Sequence, residues 1–161
     1  MKHQLKISII GLGNMGIGIY KRLSDRGFSV YAYDSNKSLL NSIPNDLVTN
    51  VDDILLTSDI VFFAVPSNKD ILSIIENKKI KKKSLLIDLT TSNPKDTIEI
   101  NKKLILENVY YYDAAMSGGA LGALNGTLTL MIGAQKKDLN VAKNVLNTIS
   151  SNIFYYGSVG N

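Results

Sequence analysis

The chain has 161 residues, 45% hydrophobic and 20% charged, a length and composition that suit one domain with a buried core. It contains no cysteine, which excludes disulfides and thiolate chemistry and favours a reducing compartment, the cytoplasm. The net charge of +4 comes largely from a basic run at 78–83 without aromatic residues, so we interpret that run as a solvated helix end and expect no nucleic-acid partner.

Neither a membrane-spanning segment nor a metal site is expected. No apolar run reaches the roughly 18 residues that a membrane span requires. The only histidine, His3, precedes the first predicted strand, where we expect neither a catalyst nor a metal ligand.

Apolar runs and helical periodicity alternate along the chain as far as residue 113. Strands are predicted at 6–10, 28–33, 59–65, 84–89 and 109–113. Helices are predicted between them at 14–26, 52–56, 68–76 and 95–107. The later elements are predicted as a glycine-rich loop or short helix at 114–126, a strand at 127–132, a helix at 136–150 and a strand at 153–156. This order predicts an α/β fold of the Rossmann type, a doubly wound and mainly parallel sheet with helices on both faces.

The turn after the first strand carries three glycines in the spacing G-x-G-x-x-G. Gly11 suits a sharp strand-to-helix turn, Gly13 leaves room for a pyrophosphate, and Gly16 lets the helix approach the strand. The N-terminus of the following helix offers unpaired N–H groups to the phosphates. We therefore predict a dinucleotide site that includes the whole turn, Gly11, Leu12, Gly13, Asn14, Met15 and Gly16.

Asp34 ends the second predicted strand, at the spacing from the glycines that this fingerprint expects. Its carboxylate can accept both hydroxyls of an adenine ribose and would repel a 2′-phosphate, which predicts NAD as the cofactor over NADP. Lys37 nearby leaves NADP open. The alternative is that Asp34 only caps a helix over 36–43.

Two further segments belong to the carboxyl edge of the predicted sheet. Val65 and Pro66 close the third strand, where a doubly wound fold places its cofactor. Ser117, Gly118 and Gly119 follow the fifth strand, and their adjacent backbone N–H groups can form an anion nest suited to a small carboxylate. Alternatively, these glycines serve only tight turns.

Three motifs together make the sequence resemble the β-hydroxyacid dehydrogenases. They are Gly11–Gly16, Asp88–Pro94, and a long segment that begins with Asp113-Ala114-Ala115-Met116-Ser117-Gly118-Gly119 and continues to Gly133. The resemblance implies reversible hydride transfer between NAD(P) and a small 3-hydroxy acid or its semialdehyde. It also implies that Thr91 lies near the nicotinamide and that Ser117, Gly118 and Gly119 bind the substrate carboxylate.

In that family a lysine handles the proton, a few residues after the glycine pattern begun here by Gly157 and Gly160, at the start of a helical second domain. This sequence ends first, so we expect residues 1–161 to be a single dinucleotide-binding domain, truncated before the lysine, that binds NAD without turnover. The full-length form is expected to be a homo-oligomer. The alternatives are a non-catalytic sensor or scaffold module, and an imine or ketone reductase of the same fold.

Overall fold

Strands and helices alternate along the chain, and the computed structural model describes residues 5–135 and 142–161. The strands are β1 Ile7–Ile10, β2 Val30–Tyr33, β3 Ile60–Phe63, β4 Leu85–Asp88, β5 Tyr110–Ser117, β6 Leu128–Gly133 and β7 Ser150–Gly157. The helices are α1 Asn14–Asp25, α2 Val51–Thr57, α3 Asn68–Ile75, α4 Pro94–Leu106, α5 Gly119–Asn125 and α6 Lys143–Ile149. Two short 3₁₀ segments, Lys37–Ser42 and Asn45–Leu47, lie between β2 and α2.

The seven strands form one sheet in the order β2-β1-β3-β4-β5-β6-β7. Neighbouring strands are parallel except β5 and β6, which run antiparallel. Every residue of β1, β3 and β4 is buried, as expected for parallel strands covered on both faces. The sheet confirms the predicted fold class.

Helices cover both faces of this sheet, and each layer has its own apolar core. On one face, Ile19 and Leu23 of α1 pack with Ala123 of α5 and with the apolar face of α6. On the other face, α2, α3 and α4 contribute Ile54, Leu55, Ile71, Ile75, Ile100 and Leu104. The two layers leave the carboxyl ends of the parallel strands at one open edge, where ligands of such folds bind.

The structure departs from the predicted elements after residue 113. The segment 114–117, predicted as loop or short helix, continues β5 as a strand that pairs with β6 from Asp113↔Gly133 to Ser117↔Thr129. Alanines and glycines have low strand propensity, and the antiparallel partner decides the conformation here. The short helix that was the other option occurs farther on, as α5.

The last two elements also differ in extent from the prediction. The final strand is longer than predicted, since β7 spans eight residues. Of the helix predicted at 136–150, the structure shows α6, Lys143–Ile149, while residues 136–141 lie outside the described residues.

Candidate dinucleotide cleft

The glycine turn after β1 is built by close backbone approaches. Gly11 has φ +98°, and a Cβ there would lie 2.4 Å from the carbonyl oxygen of Ala64. A Cβ on Gly16 would lie 2.0 Å from the carbonyl oxygen of Gly11. Both positions therefore exclude any side chain for reasons of the fold alone, whatever the turn binds.

Gly13 is different, because nothing in the described structure requires a glycine there. Its φ of −60° is open to any residue, and a Cβ would have no heavy atom within 4 Å. The open space lies at the start of α1, whose N-cap Gly13 has no side chain to cap it. Unpaired N–H groups and the helix dipole at this point suit an anion, and the missing Cβ gives a phosphate room to approach.

Asp34 is tied to the glycine turn by its side chain. Oδ2 accepts the backbone N–H of Leu12 at 2.7 Å, and Oδ1 accepts that of Asn36 at 2.7 Å. The carboxylate thus joins the end of β2 to the turn after β1, and each oxygen keeps a further lone pair for a ribose hydroxyl. The cap of the first 3₁₀ segment is Asn36, whose Oδ1 accepts the N–H of Ser38, so Asp34 does not cap it.

A cleft of about 890 Å³ opens at this edge of the sheet. It is lined by seven of the ten predicted cofactor residues: Gly11, Gly13, Asn14, Met15, Asp34, Val65 and Pro66. Leu12 and Gly16 do not line it, because Leu12 is buried beneath the turn and Gly16 packs against Gly11. Thr91, Ser117, Gly118 and Gly119 also lie outside this lining.

The far end of the cleft contains residues that sequence reasoning missed. They are Leu39, Asn50, Val51, Asp52, Asp70, Ser73, Ile74 and Lys78. Lys78 forms an ion pair of 2.9 Å with Asp52, which brings the end of the α3 segment to the start of α2. The only signal for this in the sequence was that both segments begin or end next to a strand of the sheet. Their pairing depends on the tertiary fold.

The turn after β4 is organised around a buried carboxylate. Asp88 is fully buried, and its Oδ1 accepts the N–H of Thr90 at 2.8 Å and the Thr90 hydroxyl at 2.6 Å. Its Oδ2 accepts the hydroxyl of Tyr111 at 2.6 Å and that of Ser92 at 3.1 Å. Thr90 and Ser92 also share a hydroxyl–hydroxyl contact. The turn that carries Thr91 is therefore held from inside the sheet.

The groups around Asp88 titrate abnormally. Burial, followed by the nearby Asp88 charge, raises the pKa of the Tyr111 hydroxyl well above its usual range, so it remains a hydrogen-bond donor. Burial and then Asp88 also raise the pKa of Asp113, its register partner on β5, while the N–H of Gly160 opposes that shift. Gly160 donates to Oδ2 of Asp113 at 3.3 Å, which fixes the chain after β7 against the sheet.

The second glycine segment stands at the exposed end of β5. Gly118 and Gly119 have φ of +126° and +61°, so both take left-handed conformations that favour glycine. A Cβ on Gly118 would lie 3.3 Å from the side chain of Leu128, while the space beside Gly119 is open. The neighbouring Ser117 is exposed, so its hydroxyl is accessible.

Within residues 5–135 and 142–161, the structure groups no three metal-ligating side chains closely enough to hold an ion. In the same part of the chain, none of the helices has both the length and the apolar character needed to cross a membrane.

Comparison with known proteins identifies related chains. A family profile described as the NAD binding domain of 6-phosphogluconate dehydrogenase matches residues 6–157. The chain is 29% identical to mitochondrial 3-hydroxyisobutyrate dehydrogenase of Rattus norvegicus, over 99% of this chain and 50% of that protein. It is 30% identical to 2-(hydroxymethyl)glutarate dehydrogenase of Eubacterium barkeri, over 99% of this chain and 56% of that protein. The chain thus spans about half the length of the curated relatives it matches.

Solved structures share the fold. The 3-hydroxyisobutyrate dehydrogenase of Mycobacterium tuberculosis, determined with L-serine, superposes with a TM-score of 0.92 at 24% identity, covering 98% of this chain and 56% of that one. An imine reductase variant from Myxococcus stipitatus, in complex with NAD⁺, has a TM-score of 0.87 at 20% identity, covering 99% of this chain and 57% of that one.

The family description names NAD, the cofactor that Asp34 and the glycine turn predict. The curated relatives carry the same order of motifs into hydroxy-acid dehydrogenases. The chain belongs to the family of NAD-binding domains described for 6-phosphogluconate dehydrogenase, and within it to the β-hydroxyacid dehydrogenases.

Proposed function

We propose that this chain is the cofactor-binding part of a dehydrogenase that moves a hydride between a nicotinamide dinucleotide and a small 3-hydroxy acid or its semialdehyde. The observation that carries the proposal is Gly13, a position where the fold itself leaves a Cβ free space and only a ligand would need the glycine. It opens onto the cleft between α1 and Asp34.

Each part of the cleft has a role in this proposal. The backbone at Gly11–Gly16 and the N-terminus of α1 hold the pyrophosphate, and Asp34 holds the adenine ribose. Val65 and Pro66 line the cofactor, and Thr91 lies on the nicotinamide side. The charge of Asp34 favours NAD over NADP. When bound, the dinucleotide supplies or accepts the hydride, and this chain binds, orients and shields it.

The substrate carboxylate is assigned to Ser117, Gly118 and Gly119. Two consecutive glycines with positive φ and an exposed hydroxyl support this, because their backbone N–H groups are free of side-chain cover. Relatives named for hydroxy-acid substrates support the substrate class. The proton-transferring lysine would follow Asn161, so we expect the 161-residue chain to bind dinucleotide without measurable turnover.

The proposal extends to one cofactor domain over residues 1–161, a cytoplasmic location, which a cysteine-free sequence suits, and a homo-oligomeric full-length form. The imine reductase alternative has the support of shared fold alone, since those neighbours have 14–20% identity. A sensor module would have no use for a carboxylate nest at Ser117–Gly119.

Binding of NADH and NADPH to the purified chain, followed by NADH fluorescence and calorimetry, tests the proposal. We expect NADH to bind at least about tenfold more tightly than NADPH, a difference of about 1.4 kcal/mol. ADP-ribose and its 2′-phosphate should show the same preference, since the discriminating group lies on the adenine ribose. Absence of binding by all four ligands would refute the proposed function.

A further inference from the structure

The carboxylate of Asp88 collects every hydrogen bond that orders the turn Leu89–Asn93. Asp88 is fully buried, Tyr111 is 3% exposed and Thr90 is 4% exposed, so this network lies inside the molecule. A buried carboxylate requires several donors to remain in place. Here the turn supplies three of them, the N–H and hydroxyl of Thr90 and the hydroxyl of Ser92, while the fourth comes from Tyr111 on the neighbouring strand.

The other end of the same turn is tied to α3. Asn68, which is 4% exposed, donates its side-chain N–H to the carbonyl oxygen of Asn93 at 3.3 Å. Asn93 in turn caps α4 by accepting the N–H of Lys95 at 2.9 Å. Between these two anchors Thr91 is exposed, so the network presents this residue to solvent at the carboxyl edge of the sheet.

Strand order shows which part of a bound dinucleotide this turn would meet. Asp34 and the glycine turn end β2 and β1, and the sheet continues through β3 to β4. An extended ligand with its ribose at Asp34 and its pyrophosphate at Gly13 therefore runs past Val65 towards the turn after β4. Adjacent strands are about 4.8 Å apart, which places β4 roughly 10 Å beyond β1. The turn Leu89–Asn93 is thus on the nicotinamide side of the cleft.

We propose that Tyr111 is a positioning residue, whose hydroxyl holds Asp88 so that the turn Leu89–Asn93 forms the nicotinamide-side wall of the dinucleotide site. This inference rests on the proposed function. Tyr111 touches no ligand, and acts only through the carboxylate. Removal of its hydroxyl leaves Asp88 without one of four donors, and the carboxylate then shifts and releases the turn. The elevated pKa of Tyr111 agrees with this role, because the phenol remains a donor at all working pH values.

The test compares Tyr111→Phe with the wild-type chain for two ligands. NADH carries the nicotinamide half and ADP-ribose lacks it, so their ratio of Kd values reports on the nicotinamide side alone. We expect ADP-ribose to bind the variant within about twofold of wild type, while the Kd of NADH rises about tenfold. Hydrogen exchange at the Thr90 amide, which donates to Asp88, should become about tenfold faster in the variant.

Tyr155→Phe is the matched control. Tyr155 also donates its hydroxyl, to the carbonyl oxygen of Ala134 at 3.0 Å, but it lies on β7, three strands away from β4. This control should change neither the NADH to ADP-ribose ratio nor exchange at Thr90. Ser92→Ala removes a donor to the same carboxylate from the turn itself and should reproduce the effect of Tyr111→Phe.

The outcomes separate the possibilities. An unchanged ligand ratio with unchanged Thr90 exchange in Tyr111→Phe would overturn the inference. An equal loss of affinity for both ligands would do so too, because it would indicate a general structural role. If Tyr111→Phe does not fold, Ser92→Ala decides, and failure of both to fold would make the network a requirement of the fold and sink the inference. Wild-type protein that binds neither ligand would instead refute the proposed function, and Thr90 exchange would still report on the turn.

Discussion

Substitution of Gly13 by alanine separates the needs of the ligand from the needs of the fold. The space around a Cβ at this position is open and the backbone conformation is ordinary, so the folded state accepts the methyl group. As the N-cap of α1, alanine is worse than glycine by about 0.5–1 kcal/mol. Its smaller conformational freedom in the unfolded chain returns about 0.4–1 kcal/mol. The net change in the free energy of unfolding should therefore be within about 1 kcal/mol.

For a domain of this size, 1 kcal/mol corresponds to about 2–4 °C in Tm, so Gly13→Ala should melt within about 4 °C of wild type. Binding should respond differently, because the methyl group occupies the space that the pyrophosphate needs against the backbone. We expect the Kd of NADH to rise at least about tenfold, or about 1.4 kcal/mol. Differential scanning fluorimetry and NADH fluorescence titration measure the two effects on one preparation.

Gly16→Ala is the contrasting variant. Its Cβ would lie 2.0 Å from the carbonyl oxygen of Gly11, so the turn has to move, at a cost of about 3 kcal/mol or more. We expect this variant to melt at least about 6 °C below wild type, or to fail to fold. A Gly13→Ala protein that binds NADH as wild type does would refute the placement of the phosphates. A Gly13→Ala protein as unstable as Gly16→Ala would refute the reading of the turn.

Three further substitutions test other parts of the structure. Asp34→Asn removes the charge while keeping an acceptor for the Leu12 N–H, so the preference for NADH over NADPH should fall at least about tenfold, and an unchanged ratio would contradict the role of the charge. The pKa of Asp113 is raised in the folded state, so the folded protein binds more protons than the unfolded chain above the ordinary value of 3.8, and stability falls as pH rises through the raised pKa. Asp113→Asn should therefore gain Tm over wild type on going from pH 4 towards neutrality, and a gap that stays constant or narrows would count against the shift. Gly18→Ala should cost about 1–3 kcal/mol because its Cβ would lie 2.9 Å from that of Ala123 on α5, and Ala123→Gly should restore part of this in a double-mutant cycle by chemical denaturation; fully additive effects would exclude the contact.

The sequence predicted the parts of this protein that depend on local pattern. Buried runs such as 59–65 and the turn Gly11–Gly16 carry their own signal, because a covered parallel strand must be apolar and a sharp strand-to-helix turn requires glycine. The position of Asp34 after β2 followed in the same way. These features placed most of the predicted cofactor residues on one cleft before any contact was known.

Contacts between distant segments were decided only by the tertiary structure. The extension of β5 through residues 114–117 depends on its antiparallel partner β6, and small residues give no strand pattern of their own. The hydroxyl of Tyr111 reaches Asp88 across 23 positions, and Lys78 meets Asp52 at the far end of the cleft. Hydrogen bonds and ion pairs of this kind arise when strand order brings side chains together, and hydrophobic periodicity carries no information about which polar partners will meet.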